Sequence, residues 1–246
     1  MKKIALILSL VCLVLASCKD NSIKYNGPDV INMVLRDTVY INATSDDPLH
    51  YKSDNERYVT VSQNGKVFGK NVGSANVIIS NTENELTIPV NVSLFEEPTL
   101  NFGASTKYIE SLYGEPKYNF GDSIYVYGDG TEWYSSSVWK MNFFFDNDKY
   151  YESDLYIRND LDLLLNKYLD ENYFYFQALN DTIDGEIKTL HIYFDTEDPR
   201  FAEVIVGKQY NAGQYNDILL IYAPASSLNH SKMRDVVSKK RNQQVD

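Results

Sequence analysis

The side chains able to do chemistry are few, and their spacing says little about catalysis. The imidazoles are His50, His191 and His230, and no two lie close in the chain. No His-x-x-x-His pair occurs, and the two cysteines, Cys12 and Cys18, both precede the first histidine by more than thirty positions. A zinc site draws its ligands from closely spaced His and Cys, so none is expected. Asp146, Asp148 and Glu152 have part of the spacing of a calcium loop but lack its central glycine. A hairpin turn at Asp146-Asn147-Asp148 accounts for them, and a turn likewise accounts for Asp195, Glu197 and Asp198. No Gly-x-Ser-x-Gly elbow and no glycine-rich phosphate loop is present, and Gly128-Asp129-Gly130 reads as a turn. No catalytic residue, cofactor or metal ligand is therefore assigned. The aromatic side chains are the remaining candidates: 20 Tyr, 11 Phe and 2 Trp. Trp133-Tyr134 and Trp139 flank Ser135-Ser136-Ser137, and flat rings on a loop can stack on a sugar or anchor a protein partner. Trp133, Tyr134 and Trp139 are the candidate ligand-binding residues.

These rings have to be positioned by a chain of 246 residues, 43% hydrophobic and 23% charged, which is globular composition. The formal charge of −11 argues against a nucleic-acid partner. Lys2 and Lys3 precede an unbroken run of apolar and small residues from Ile4 to Leu15, too short for a stop-transfer helix and right for a signal peptide over residues 1–17. The run ends in Leu15-Ala16-Ser17-Cys18, which resembles the lipobox of bacterial lipoproteins. The resemblance implies acylation of Cys18, cleavage before it, and a membrane partner through that lipid. Loss of residues 1–17 takes the formal charge from −11 to −13 and removes Cys12. No disulfide is then available, and the fold must rest on core packing. Residues 18–29 are polar with a Gly27-Pro28 breaker and read as a lipidated tether. Lys19-Asp20 resembles a shortened surface-export signal of Bacteroidetes lipoproteins, which implies the outer membrane, on its periplasmic or external face. Asp37-Thr38-Val39, Asp122-Ser123-Ile124 and Asp181-Thr182-Ile183 resemble the O-glycosylation motif of the same bacteria.

From residue 30 to 95 the pattern alternates with strand period. Val39, Ile41 and Ala43 alternate with Tyr40 and Asn42, and Leu86, Ile88, Val90 and Val92 with Thr87, Pro89 and Asn91. Asn64-Gly65 predicts a type I′ hairpin between Val61 and Val67. Pro89 cannot donate to a ladder, so its strand is expected at an edge, or with that nitrogen turned outward. Tyr51-Lys52-Ser53-Asp54, Val59-Thr60-Val61, Asn64-Gly65-Lys66-Val67 and Val72-Gly73-Ser74-Ala75-Asn76-Val77-Ile78 together resemble the bacterial Ig-like domain of group 2. The sequence departs from that pattern at Tyr51, where Trp is usual, and at Ser74, where Thr is usual. The resemblance implies a seven-strand β-sandwich that serves as spacer or as ligand contact.

Glu96-Glu97-Pro98 reads as a boundary. Over 98–225 the expected fold is α+β, built from two αβββ-like units in one antiparallel sheet with helices on one face. Ser105 caps a helix whose Tyr108, Ile109 and Leu112 share a face and which Gly114 stops. Asn159 caps a second, with Leu161, Leu164, Leu165, Tyr168 and Leu169 on one stripe. Tyr108 to Pro116 faintly resembles the helix and Gly-x-Pro of tandem-repeat β-lactamase-inhibitor-like envelope lipoproteins. Residues 226–246 carry Lys232, Arg234, Lys239, Lys240 and Arg241 and read as a flexible basic tail. The fold class is thus mainly β with α+β, an Ig-like sandwich followed by an α+β domain. The expected function is that of a non-enzymatic envelope lipoprotein whose Ig-like spacer presents a domain that binds a glycan or an envelope protein. The alternatives are a polysaccharide or peptidoglycan hydrolase using Asp/Glu pairs and a structural or assembly factor of the outer membrane.

Overall fold

Seven strands in two sheets build the first half of the chain. In the computed structural model, which describes residues 21–129, 131–183, 186–212 and 217–227, contacts divide the chain into two compact units, 1–93 and 94–246. The expected signal peptide, Cys18 and residues 228–246 of the expected tail lie outside the described residues. In the first unit β2 (Ile31–Val34), β9 (Glu85–Ser93), β8 (Gly73–Ser80) and β5 (His50–Ser53) form one sheet in that order. A three-stranded sheet holds β3 (Thr38–Tyr40), β7 (Lys66–Gly69) and β6 (Val59–Val61). Alternate residues from each sheet, among them Ile31, Tyr51, Val67, Val77, Ile79 and Val90, are buried between them. This is the aligned packing of two half-buried sheets. A separate two-stranded ladder joins β1 (Lys24–Tyr25) to β4 (Ala43–Thr44), so strand pairing begins inside the segment expected to be tether.

Two local expectations change here. Pro89 lies in β9, which is central rather than an edge, so the second alternative holds. Its cross-strand partner Asn76 exchanges backbone and side-chain hydrogen bonds with Asp54 on the other side. The proline nitrogen therefore faces away from β8, and the parallel pairing with β2 starts one residue later, at Ile31 and Val90. The Asn64-Gly65 hairpin is not type I′. Val61 pairs with Val67, leaving five residues between them, and only Gly65 has positive φ (77°). The Gly65 amide donates to the Ser62 carbonyl at 3.0 Å and the Ser62 amide to the Lys66 carbonyl at 3.0 Å. That is a type I turn closed by a glycine bulge, because a two-residue loop cannot span an odd gap.

The second unit is one antiparallel sheet of eight strands. Its first half comprises α1 (Thr106–Tyr113), β10 (Tyr118–Asn119), β11 (Ile124–Tyr127), β12 (Val138–Asp146) and β13 (Lys149–Ile157). Its second half comprises α2 (Asp162–Asn172), β14 (Phe174–Ile183), β15 (Glu186–Phe194), β16 (Val204–Ala212) and β17 (Asp217–Pro224). The strand order is β10-β11-β12-β13-β17-β16-β15-β14. Each helix is therefore followed by four strands rather than three, and the two meanders join through their last strands, β13 against β17. Turn chemistry explains one hairpin directly. Asp146 pairs with Lys149, and the two residues between them, Asn147 and Asp148, have φ of 51° and 60°. The type I′ turn expected at Asn64-Gly65 is found here.

Ser105 caps α1 as expected, accepting from the Tyr108 amide, and Gly114 (φ 78°) ends it. Of the expected face only Ile109 is buried; Tyr108 and Leu112 are exposed. Tyr113 packs instead, its ring 4.9 Å from Phe143. Asn159 does not cap α2. It opens a 3-10 turn, Asn159–Leu161, that leads into the helix without a side-chain cap. Leu161, Leu165 and Leu169 form the buried stripe, while Leu164 is partly exposed. The register places Leu155, Leu220, Val206 and Tyr222 on the face that receives the helices. Tyr173, at the end of α2, meets Tyr222 edge-on at 6.3 Å. Among the described residues no helix is long and apolar enough to cross a membrane.

Candidate functional site

The three candidate rings do not form one site. Trp139 sits where the β12–β13 register slips between Val138 and Lys140. A bulge of this kind turns two consecutive side chains to the same face. Trp139 thus joins Lys140 and Tyr156 on the face away from the helices, its ring 5.3 Å from Tyr156. It is 4% exposed and its indole N–H donates to the Asp217 carboxylate. A buried ring with its one donor used is a core residue, so Trp139 offers no stacking surface to a ligand. Tyr134 is half-buried and donates its hydroxyl to Glu96 at 2.8 Å. Burial, reinforced by the Glu96 carboxylate, pushes its phenol well above the usual range. Trp133 alone is exposed, at 41%, with the Arg158 guanidinium 5.3 Å from its ring centroid. Arg158 is held by both oxygens of Asp160 at 2.8 and 3.1 Å. One ring, one guanidinium and one carboxylate make a small polar-aromatic surface.

The face around Trp139 carries charge inside an apolar layer. Lys140 places its ammonium 4.3 Å from the Tyr156 centroid and 4.9 Å from that of Trp139. Asp154, opposite Asn142 in the ladder, is fully buried. Burial raises its carboxyl to about 8, against the pull of Lys140. Burial lowers Lys140 in turn, opposed by Asp154 and Asp217. Desolvation outweighs attraction for both. Ile192, Phe194, Ile205, Leu219 and Ile221 complete the layer with Tyr156 and Trp139.

The helix side holds a second polar cluster that the sequence reading did not single out. Lys208, 1% exposed, donates to Asp162 at 2.5 Å, Asn166 at 2.6 Å and the Tyr210 hydroxyl at 2.7 Å. All three ammonium protons are used, so this lysine ties α2 to β16 and is not a poised base. Neighbouring His191 stands edge-on to Tyr210 at 6.0 Å. Its imidazole is lowered by burial and by the Lys208 charge. A third feature is the terminal strand β14. Phe174, Tyr175 and Phe176 are 49, 55 and 47% exposed, and the ladder bulges between Tyr175 and Gln177. Three consecutive exposed aromatics on a sheet edge were legible only as a run without alternation.

The other sequence candidates disperse. His50 is exposed at the start of β5, and His230 lies outside the described residues. Asp148 turns to α1, accepting from the Thr106 amide at 2.9 Å and hydroxyl at 2.8 Å, which lowers its carboxyl. Glu152 is buried in β13. Asp195 accepts from the Glu203 amide and Asp198 pairs with Arg200, both as turn contacts. Among the described residues no group of three or more His, Cys, Asp or Glu could hold a metal ion.

Comparison with known proteins adds to this. No curated protein matches the chain. Two solved structures of surface-layer protein SbsC are similar to it. Domains 5-6 share 14% identity over 82% of this chain and 82% of that one, with a TM-score of 0.26. Domains 4-9 share 13% identity over 83% of this chain, with a TM-score of 0.28, and the chain spans only 27% of that structure. At these scores the likeness carries no argument. The sandwich is different: residues 31–88, which include six of its seven strands and the start of β9, match the bacterial Ig-like domain (group 2).

Proposed function

We propose that the chain is a non-enzymatic, lipid-anchored protein of a bacterial cell envelope. Its Ig-like unit is a spacer, and its eight-stranded unit binds an extended segment of another envelope protein along β14. The observation that carries this reading is the run Phe174-Tyr175-Phe176, exposed on the last strand of a large antiparallel sheet. An edge strand has backbone donors and acceptors pointing outward, and soluble proteins normally blunt such edges with charge, proline or a covering element. Here it presents rings instead, which suits strand addition with aromatic pockets for alternate side chains. The bulge at Phe176 limits the register that an added strand can take.

The anchor rests on Leu15-Ala16-Ser17-Cys18, and the surface setting agrees with the Ig-like match. The test is a photo-crosslinker in place of Tyr175, with Phe174→Lys/Phe176→Lys and Trp133→Ala as comparison chains. Crosslinking to an envelope protein that the double lysine variant abolishes, and Trp133→Ala leaves intact, supports the reading. Retention in the lysine variant with loss in Trp133→Ala would move the site to the Trp133–Arg158 surface. A glycan array probed with the same chains then decides whether that surface takes a sugar.

A further inference from the structure

A row of α2 and the rings of β14 and β15 repeat, without its cation, a contact that the fold makes elsewhere. The ladder aligns Tyr175 with Tyr193, and Ala178 with His191 and Lys208. Lys208 reaches α2, so these side chains share the helix face of the sheet. Tyr175 stands 5.4 Å from Tyr193 and 6.2 Å from His191 and is more than half exposed, and small Ala178 beside it is exposed too. Along α2, Asp162, Asn166 and Asp170 recur at i, i+4 and i+8, one row of the helix. The first two hold the Lys208 ammonium, which also lies 4.3 Å from the Tyr210 centroid. About two turns on, Asp170 repeats the carboxylate, and its charge acts on the Tyr193 phenol. It has no ion-pair or hydrogen-bond partner among the described residues. No basic residue stands in the last turn of α2, where an acid opposes the helix dipole, so the helix gains nothing from Asp170.

We propose that Asp170, Tyr175 and Tyr193 form a subsite for a lysine or arginine side chain of the segment that adds along β14. This rests on the strand-addition reading and gives its partner a chemistry. An added strand lies about 4.8 Å outside β14, and its alternate side chains fall on the face that carries Tyr175. A long basic side chain can cross Ala178 with its stem along the Tyr175 ring and its charge toward Asp170. Lys208 has the same combination of partners in Asp162 and Tyr210. The neighbouring cations do not compete. Lys208 is committed to three acceptors and Lys167 is turned to Glu171. Burial and the Lys208 charge hold His191 toward its neutral form.

The probe is a phage-displayed library of random twelve-residue peptides, panned against the chain from Lys19 onward. Enriched peptides are expected to share a Lys or Arg, and Asp170→Asn to weaken a synthetic enriched peptide about tenfold. Norleucine in place of that basic residue is expected to cost as much, with no further loss in Asp170→Asn, as a direct pair requires. Panning against Asp170→Lys is expected to select Asp or Glu at that position instead. The urea midpoint of Asp170→Asn is expected to stay unchanged or to rise, which a structural role for this carboxylate would not allow. Peptides that lose binding to Phe174→Lys/Phe176→Lys, yet show no basic preference or bind Asp170→Asn as tightly as the parent, overturn the subsite and leave strand addition standing. Peptides indifferent to the double lysine variant, or no enrichment at all, overturn both.

Discussion

Asp154 is a carboxyl fully withdrawn from water. Its carboxyl, raised to about 8 by burial, keeps its proton in the folded chain at pH values where the unfolded chain releases it. Between about pH 4 and pH 8 the folded state therefore binds more protons, and this group's contribution to stability falls as pH rises through that window. Asp154→Asn holds the neutral shape at every pH. Stabilities from denaturant titrations at pH 5 and pH 9 are expected to show the parent losing about 4 kcal/mol more than the variant across that interval. A parent and variant with parallel pH profiles would mean that Asp154 is ionised in the fold. Gly65 is a case of backbone rather than charge. At φ 77° an added Cβ would come 2.5 Å from the Ile41 carbonyl oxygen. Gly65→Ala is expected to cost about 2 kcal/mol or more, read as a lowered urea midpoint, because strain and clash act together.

Among the elements, α2 shows how a helix is pinned by one buried lysine beside an apolar stripe. Asp162 opens the helix, and its carboxylate accepts a hydrogen bond from the buried Lys208 ammonium. Asp162→Ala leaves a buried cation short of its counter-charge and is expected to cost about 3–5 kcal/mol. Lys208→Met removes the charge and keeps the volume, and should cost clearly less in the same urea titration. Equal costs would mean that packing, not charge, decides this contact. Element starts were partly legible. Ser105 and Gly114 bracket α1 because a hydroxyl cap and a glycine stop act locally. Asn159 misleads because the 3-10 turn it opens is shaped by Arg158 and Asp160, which pair with each other and leave the first helical amides to the backbone. Asn64-Gly65 does not form its expected type I′ turn, and the turn expected at Asp146-Asn147-Asp148 does, for a similar reason. The number of residues between paired strands selects the turn, and that number is set by the ladder.

At the scale of the molecule, stability rests on packing in each unit without covalent staples. Cys12 and Cys18 are the two cysteines, and both precede the described residues. The proposed anchor makes the location of the whole chain depend on Cys18. Cys18→Ala is expected to shift the protein from the detergent phase to the aqueous phase on phase separation, and to abolish incorporation of labelled palmitate. Retention in detergent would place the anchor elsewhere.

The sequence by itself determined the Ig-like sandwich and the helix-and-meander plan of the second unit. Both follow from short-range rules: alternation of apolar side chains, turn residues, and the Tyr51-to-Ile78 motif train whose pieces lie within one small domain. Only the tertiary structure decided the fate of particular side chains. Trp139 and Trp133 are six positions apart, yet one is core and the other surface, because a bulge in β12 turns the first into the sheet and a loop leaves the second outside. Asp154, Asp217 and Lys140 come together across three strands, and Lys208 meets Asp162 across 46 positions. Burial and charge pairing of this kind belong to strand order, and strand order depends on contacts far apart in the chain.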